Sequence, residues 1–484
     1  MDADHAHKPM ICKPHEHVLL LGGGIAGLAT GLELARRGRR VTVIEKGRQV
    51  GGLARTYVGR DDSQREFRFD IGGHRFHSHK PEIIAWIQAL MGPDLLRVPR
   101  ISHIYLQGKF VDYPIRFPSA LSIFSPAQAA RVVGSYGAAV IKHRLNGHRA
   151  DISFEDWVVN RFGRAMYDVF FGPYTEKVWG IPCTQLSADW AAQRISLPSL
   201  TEAVKRALIP GAEPPPTIIS HFWYPRSGFG MIPDRIGQEI TRLGGRVITG
   251  AGVSALRPLP GGRWQVEIQE AGGQQQIEAD RLISSIPLNL LLAALHAETG
   301  AHTVERDFQL SYRDMILLFL ALDRPRVSDD SWTYFPQPEL VCGRTHEPRN
   351  WSQELAPAGF TSLAAEVFTS RGEPTWEMED GQLVERAVRD FEQIGFIPPH
   401  SLHHWWVLRV PFAYPVYYIG YADKVKAVKT FLADRFPSLH LVGRTGSFRY
   451  MNSDGVIEDA LALTDYLIGQ QAEYIDVSKT YKVD

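Results

Sequence analysis

The chain has 484 residues, with 53 Lys+Arg balanced by 53 Asp+Glu, so it lacks the overall positive field on which nucleic-acid binders rely. Hydrophobic residues make up 44% and charged residues 22%, enough for a large core, and no run of about 18 apolar residues suggests a transmembrane segment. Cys12, Cys183 and Cys342 are far apart and form no C-x-x-C pair, so free thiols, a cytoplasmic setting and no resident metal are expected.

Residues 1–17 hold four histidines but no apolar stretch of signal-peptide length, and residues 1–16 read as a flexible polar tail. Val18–Leu21 is an all-apolar run suited to a parallel strand covered on both faces. Gly22, Gly24 and Gly27 then open a helix with G-x-G-x-x-G spacing, with Ile25 and Ala26 in its first turn. Gly22 permits the tight turn, Gly24 lets a pyrophosphate approach the backbone, and Gly27 lets the helix lie close to the strand. Val41–Ile44 is the returning strand. It ends at Glu45, eighteen residues after Gly27, where a carboxylate can accept from a ribose 2′-OH, with Lys46 beside it. Strand, turn, helix and acid together predict dinucleotide binding.

Gly51-Gly52-Leu53-Ala54-Arg55 follows closely, and this E-x5-G-G-x-x-R arrangement resembles the FAD signature of the superfamily of protoporphyrinogen oxidases, amine oxidases and UDP-galactopyranose mutases. The resemblance implies FAD as cofactor, with Gly52, Leu53 and Arg55 among its contacts. Next comes Phe69-Asp70-Ile71-Gly72-Gly73-His74-Arg75-Phe76-His77. Adjacent glycines at a strand end let backbone pass against a planar ring, with His74 standing beside it. D-x-G-G-H-x-F-H is similar to the loop that UDP-galactopyranose mutases lay against the flavin, whereas His77 and His79 read as structural.

His103–Leu106 and Lys109–Pro114 read as a hairpin around Gln107-Gly108, followed by an Ala- and Val-rich helix from Ser125 to Leu145. Ser153-Phe154-Glu155-Asp156 has the form of a capping box opening another helix. The stretch from Phe171 to Ile195 then concentrates aromatic faces and one arginine, suited to stacking a ring and gripping an anion. Its Y-x-x-K-x-W-x-x-P segment, followed by an arginine, resembles the sugar-nucleotide site of the mutases. That likeness implies Tyr174 and Trp179 as pocket residues and Arg194 as a diphosphate contact.

After a proline-rich connection at Glu213–Pro216, Phe222–Gly230 precedes helix-forming sequence to Arg242. Gly245–Val253 reads as a strand, Trp264–Ile268 as part of a hairpin and Arg281–Pro287 as a buried strand. They resemble the middle part of the FAD domain, with Val253 at the cofactor. From Leu310 to about Val428 the pattern is of alternating strands. Within it Arg344 resembles the second diphosphate-binding arginine of the mutases, and Tyr414 a tyrosine near the phosphates. At the end, Leu439–Val442 runs into Gly443, and a helix is expected to begin near Asp454, aiming its N-terminus at the cofactor. G-R-T-G-S-F-R-Y matches the mutase pattern, with Arg444 and Tyr450 in register and Asn452, Asp454 and Val456 at the helix start. One departure is Asn452, where bacterial mutases usually carry an acid.

The expected fold is α/β: a discontinuous Rossmann-like FAD-binding domain of the GR2 type (17–80, 222–290 and 437–470) interleaved with an α+β substrate domain. The latter comprises a helical insertion (81–221) and a sheet (300–436), with a second tail at 471–484. The resemblance implies a nucleotide-sugar pyranose–furanose mutase in which reduced flavin acts as nucleophile, NAD(P)H is a candidate reductant, and His74, Arg194, Arg344 and Tyr450 are the catalytic group. The rivals are a net oxidoreductase of the protoporphyrinogen oxidase or amine oxidase kind, and a flavin-bound scaffold without turnover. No nucleic-acid partner is expected, and a homodimer stays open.

Overall fold

A computed structural model describes residues 11–113, 124–146, 150–195, 219–295, 299–471 and 474. Among them, a five-stranded parallel sheet runs in the order Leu439–Leu441, Arg281–Ser284, His17–Leu21, Arg40–Glu45, Arg246–Thr249. All five residues of His17–Leu21 are buried, as an apolar strand with neighbours on both edges and helices on its faces must be. The chain leaves this strand toward Arg40–Glu45 on one side and is joined by Arg281–Ser284 on the other. The topological switch point, where such sheets bind ligands, therefore lies beyond Leu21, at the glycine turn. Helix Ile25–Arg36 follows, buried almost all round between helices Met231–Arg242 and Ser453–Leu467.

A seven-stranded sheet forms the second half, in the order Leu402–Pro415, Tyr312–Leu322, Thr361–Thr369, Arg344–His346, Trp332–Tyr334, Ser102–Leu106, Lys109–Asp112. Its central strands are buried on both faces, and the period of two sorts their side chains. Ile316, Leu318, Leu320 and Leu322 pack with Leu383, Val384, Ala387 and Phe391 of helix Asp380–Gln393. Met315, Leu317, Phe319 and Ala321 pack with Phe67, Phe69 and Ile71 from the hairpin Thr56–Arg60/Glu66–Asp70. That hairpin leads directly into Gly72-Gly73-His74, so the sheet's inner face positions the loop.

Several expectations need correction. The tail does not extend to residue 16: Cys12 is fully buried and donates its N–H to the Leu467 carbonyl at 2.7 Å. Gly245–Val253 is not one strand, because Arg246–Thr249 completes the parallel sheet and Gly252–Pro258 starts a separate three-stranded antiparallel one. Positive φ at Gly250 makes the break. The strand pattern from Leu310 to Val428 is interrupted by helices Asp380–Gln393 and Tyr421–Arg435. Nor is the 81–221 insertion purely helical, since its Ser102–Leu106/Lys109–Asp112 hairpin forms an edge of the large sheet. The capping box at Ser153 is present, with Asp156 reciprocating. Glu213–Pro216 lies outside the described residues, as does nearly all of the C-terminal tail. No helix among the described residues is long and apolar enough to cross a membrane.

Candidate active site between the two sheets

The cradle at the switch point is made by two glycine turns zipped together. Gly22 has φ +102°, and a Cβ on Gly27 would come within 2.1 Å of the Gly22 carbonyl, so helix and strand meet only because both lack side chains. Gly51 N–H donates to the Gly23 carbonyl at 2.7 Å, setting Gly52 and Leu53 opposite Gly24. A Cβ on Gly24 would meet nothing, so open space lies at the start of the helix that Ile25 and Ala26 begin. The Glu45 carboxylate accepts from Gly23 N–H at 2.8 Å and Gly47 N–H at 2.6 Å, which fixes it at the strand end. Lys46 is exposed beside Gly252, Val253 is half-buried one residue on, and the Arg55 carbonyl accepts from Ile71 N–H at 3.3 Å. On the far side Gly443, at φ +79°, lies against Ala26 and donates its N–H to Asp459, while Asn452 precedes helix Ser453–Leu467 with Asp454 in its first turn and Val456 buried. An open glycine-lined N-terminus with a carboxylate eighteen residues on fits an adenine dinucleotide.

The loop Gly72-Gly73-His74 stands where this cradle meets the large sheet. Gly72 has φ +92°, a Cβ there would stand at ordinary contact distance from Met315 and Glu366, and a Cβ on Gly73 would collide with Trp332. His74 is stacked on Phe229 at 5.2 Å, and its Nε2–H donates to the carbonyls of Leu53 at 2.8 Å and Ile71 at 3.0 Å. Burial, then the Arg444 charge, pushes its pKa down to about 4. The side chain thus ties the two glycine loops together as a neutral ring.

Glu366, fully buried in strand Thr361–Thr369, accepts from Gly73 N–H at 3.1 Å and pairs side-on with Arg344, Nε at 3.0 Å and Nη2 at 2.5 Å. The expected anion-binding arginine is therefore already engaged by a carboxylate. Burial disfavours its charge, and Glu366 more than offsets that. Around Arg344 stand Tyr174, Tyr334 and Tyr414, with Tyr174 and Tyr414 held as neutral phenols by burial. Tyr414 stacks with Tyr450 at 6.1 Å, and the Arg444 guanidinium lies 4.8 Å from the Tyr450 ring centre and 5.6 Å from that of Tyr414. Arg444 is held there by the Met451 carbonyl. Trp179 is only 3% exposed and packs edge-on against Trp190 and Tyr414, so it buttresses Tyr414. Arg194 ends helix Ala188–Arg194, and its side chain lies outside the described residues.

Residues 25–462 match the family described as flavin containing amine oxidoreductase. This chain belongs to that family. Membership implies FAD as the cofactor, and the cradle residues above are those that would hold it. Among relatives, "Probable UDP-galactopyranose mutase" of Klebsiella pneumoniae is 24% identical over 181 residues, 36% of this chain and 44% of that protein. Protoporphyrinogen oxidase of Homo sapiens is 25% identical over 309 residues, 58% of this chain and 62% of that protein. The chain spans less than two thirds of either relative. The crystal structure of a reduced UDP-galactopyranose mutase superimposes with a TM-score of 0.81 at 21% identity, covering 96% of both chains, a likeness of fold.

Glu366 and Tyr334 are the site residues the motifs did not single out. The signal for Glu366 was on the page: a lone carboxylate inside Leu363-Ala364-Ala365-Glu366-Val367, a strand too apolar to tolerate it without partners.

Proposed function

We propose that this chain is a flavin-dependent pyranose–furanose mutase of nucleotide sugars. The observation that carries the reading is the convergence of Arg344, Tyr174, Tyr414, Tyr450 and Arg444 opposite the Gly72-Gly73 loop, in a fold that follows the reduced mutase from end to end. When bound and reduced, FAD would supply the nucleophile for exchange at the anomeric carbon. The chain's residues bind and orient. Arg344, with Arg194 as its partner, grips the diphosphate, Glu366 leaving Nη1 for the substrate. The diphosphate is the leaving group, so the same arginines stabilise the charge that develops on it. Tyr174 and Tyr414 present aromatic faces and neutral hydroxyls to the sugar, and Tyr450 an aromatic face. His74, neutral at working pH, positions the glycine loops and does not transfer a proton at pH 7.

A second reading is a net oxidoreductase acting on a carboxylate-bearing or amine substrate. It is favoured by the longer match to protoporphyrinogen oxidase and by the occupied fork of Arg344, which fits a weaker demand on that arginine. Anaerobic assay of the FAD-loaded protein separates the two. Furanose product from UDP-galactopyranose only after dithionite or NADPH reduction supports the mutase. No product, with oxidised flavin bleached by protoporphyrinogen or an amine, supports the oxidoreductase.

A further inference from the structure

The lysine of the Tyr174-x-x-Lys-x-Trp segment has no role in the reading above, yet it is one of the most completely bonded side chains of the molecule. Lys177 stands on helix Gly172–Trp179, one turn beyond Tyr174. Its ammonium donates to the carbonyls of Phe335 at 2.9 Å, Gln337 at 2.9 Å and Cys342 at 2.7 Å. All three N–H donors are used, and all three acceptors belong to the loop that runs into strand Arg344–His346. That loop is closed at its base by Phe335 N–H donating to the Gly343 carbonyl and Gly343 N–H donating to the Glu366 backbone carbonyl, both at 2.9 Å. Gly343 cannot carry a side chain, since a Cβ would lie 2.7 Å from the Phe368 ring. The ammonium is thus the link between the helix that presents Tyr174 and the strand that presents Arg344.

We infer that Lys177 is the positioning residue of the anion site, a three-carbonyl clamp that sets Arg344 against Tyr174 by fixing residues 335–343 to the helix. The inference rests on reading Arg344 as the arginine that holds substrate phosphate. An ammonium satisfies three carbonyls at once only from one point, so the clamp specifies a single loop conformation; without it, the three carbonyls, two of them on the buried residues Phe335 and Cys342, lose this donor. Burial also brings the Lys177 pKa down to about 8. The groups facing it are Cys342, a thiol pushed up to about 12 by burial, with Asp390 and Glu339 favouring the charge and Arg386 opposing it. Raising the pH through 8 withdraws one donor from the clamp.

The test uses FAD-loaded wild type, Lys177→Met and Lys177→Arg, with UDP titrations and amide hydrogen exchange across residues 335–346. Met keeps the volume and loses the donors; Arg keeps charge and donors. The expected result is unchanged FAD content, exchange across 335–346 about tenfold faster or more in Lys177→Met, UDP binding weakened about tenfold, and recovery of both in Lys177→Arg. Wild-type exchange in Lys177→Met, or a Met variant closer to wild type than the Arg variant, overturns the clamp, because Lys177 then only fills space. If Lys177→Met does not fold, Lys177→Gln decides, since its shorter stem and two amide donors cannot satisfy three carbonyls from one point: exchange across 335–346 as slow as in wild type overturns the inference. If UDP binds none of the proteins while exchange still separates Met from Arg, the clamp stands and the nucleotide-sugar reading fails.

Discussion

At the level of single side chains, one carboxylate serves both halves of the site. Glu366 holds the Gly73 N–H and the Arg344 guanidinium at once, so Glu366→Gln weakens the loop and leaves a buried cation without its counter-charge. Removing one partner of such a pair costs about 3–5 kcal/mol, and a retained amide oxygen should keep this variant near the lower end. The double variant Glu366→Gln/Arg344→Met should regain most of that stability in urea melts while staying inactive, because the stability loss comes from the orphaned charge and the activity loss from the missing arginine. Asp70 gives a second single-residue test. It is fully buried and accepts from Tyr224 at 2.6 Å, Thr56 at 2.7 Å and Phe229 N–H at 2.9 Å, yet burial raises its pKa to about 6. A carboxyl whose folded pKa exceeds its unfolded value holds more protons when folded, so its contribution improves as pH falls and becomes a cost of roughly 2–3 kcal/mol above pH 6. Asp70→Asn should therefore gain stability over wild type from pH 5 to 7, read as the difference between their unfolding curves. Neither role was visible in the motifs, because a spacing pattern records which residues recur and not which backbone groups they satisfy.

At the level of elements, the glycines separate conformational cost from contact cost. Gly38, at φ +73°, has open space where a Cβ would go, whereas Gly443, at φ +79°, would place one 2.4 Å from that of Ala26, against the cofactor helix. Alanine at either site pays about 1–2 kcal/mol for left-handed backbone. Only Gly443→Ala should also push strand end and helix apart, so FAD content by absorbance should collapse there and be normal in Gly38→Ala. Helix Phe154–Phe162 tests a different terminus. Ser153 Oγ accepts from Asp156 N–H at 3.1 Å and Asp156 answers the Ser153 N–H at 3.1 Å, so Ser153→Ala should cost about 1 kcal/mol by calorimetry with no effect on FAD content. Elements of this kind were legible because their determinants are local: a glycine triplet, a capping box, an all-apolar run. Strand Leu402–Pro415 was not, because it alternates His403-His404-Trp405-Trp406 without a clean period and is half-exposed along most of its length. Its last turn toward Tyr414 is made by Phe412 at φ +57°, pinned by Asp314 accepting from its N–H at 2.8 Å, a long-range contact that no local pattern announces.

For the whole molecule, His17 and His346 are buried and His74 and His440 half-buried, spread over the parallel sheet, the large sheet and the glycine loop between them. The parallel sheet was readable from its first strand and returning acid, since both faces of a switch-point strand must be apolar. The packing of the second sheet on the Glu66–Asp70 hairpin was not, since it joins residues hundreds of positions apart. The enclosure of these histidines has a pH signature. His74 is brought down to about 4 and His440 to about 3 by burial, and His346 and His17 are lowered for the same first reason. Each folded-state pKa lies below the unfolded value near 6.5, so the unfolded chain binds more protons, and stability present at pH 7 is lost as pH falls from 6.5 toward the folded pKa. Each such histidine contributes about 1.4 kcal/mol per pH unit in that window, and the carboxyls raised by burial, Asp70, Asp234, Glu347 and Asp459, oppose it as they protonate. His346 isolates one share of the slope. Its ring stacks on Trp351 at 4.7 Å, neither ring nitrogen has a hydrogen-bond partner among the described residues, and the Glu366 carboxylate is 4.0 Å away. Phenylalanine preserves the stacking and removes the orphaned nitrogens. His346→Phe should thus equal or exceed wild type in stability at pH 7 and lose less between pH 6.5 and 5 by about 1.4 kcal/mol per unit, measured by urea unfolding at each pH. An unchanged slope would mean that the pocket admits water and protonates His346 while folded, and the stacked pair would then be a hydrated part of the site behind Glu366.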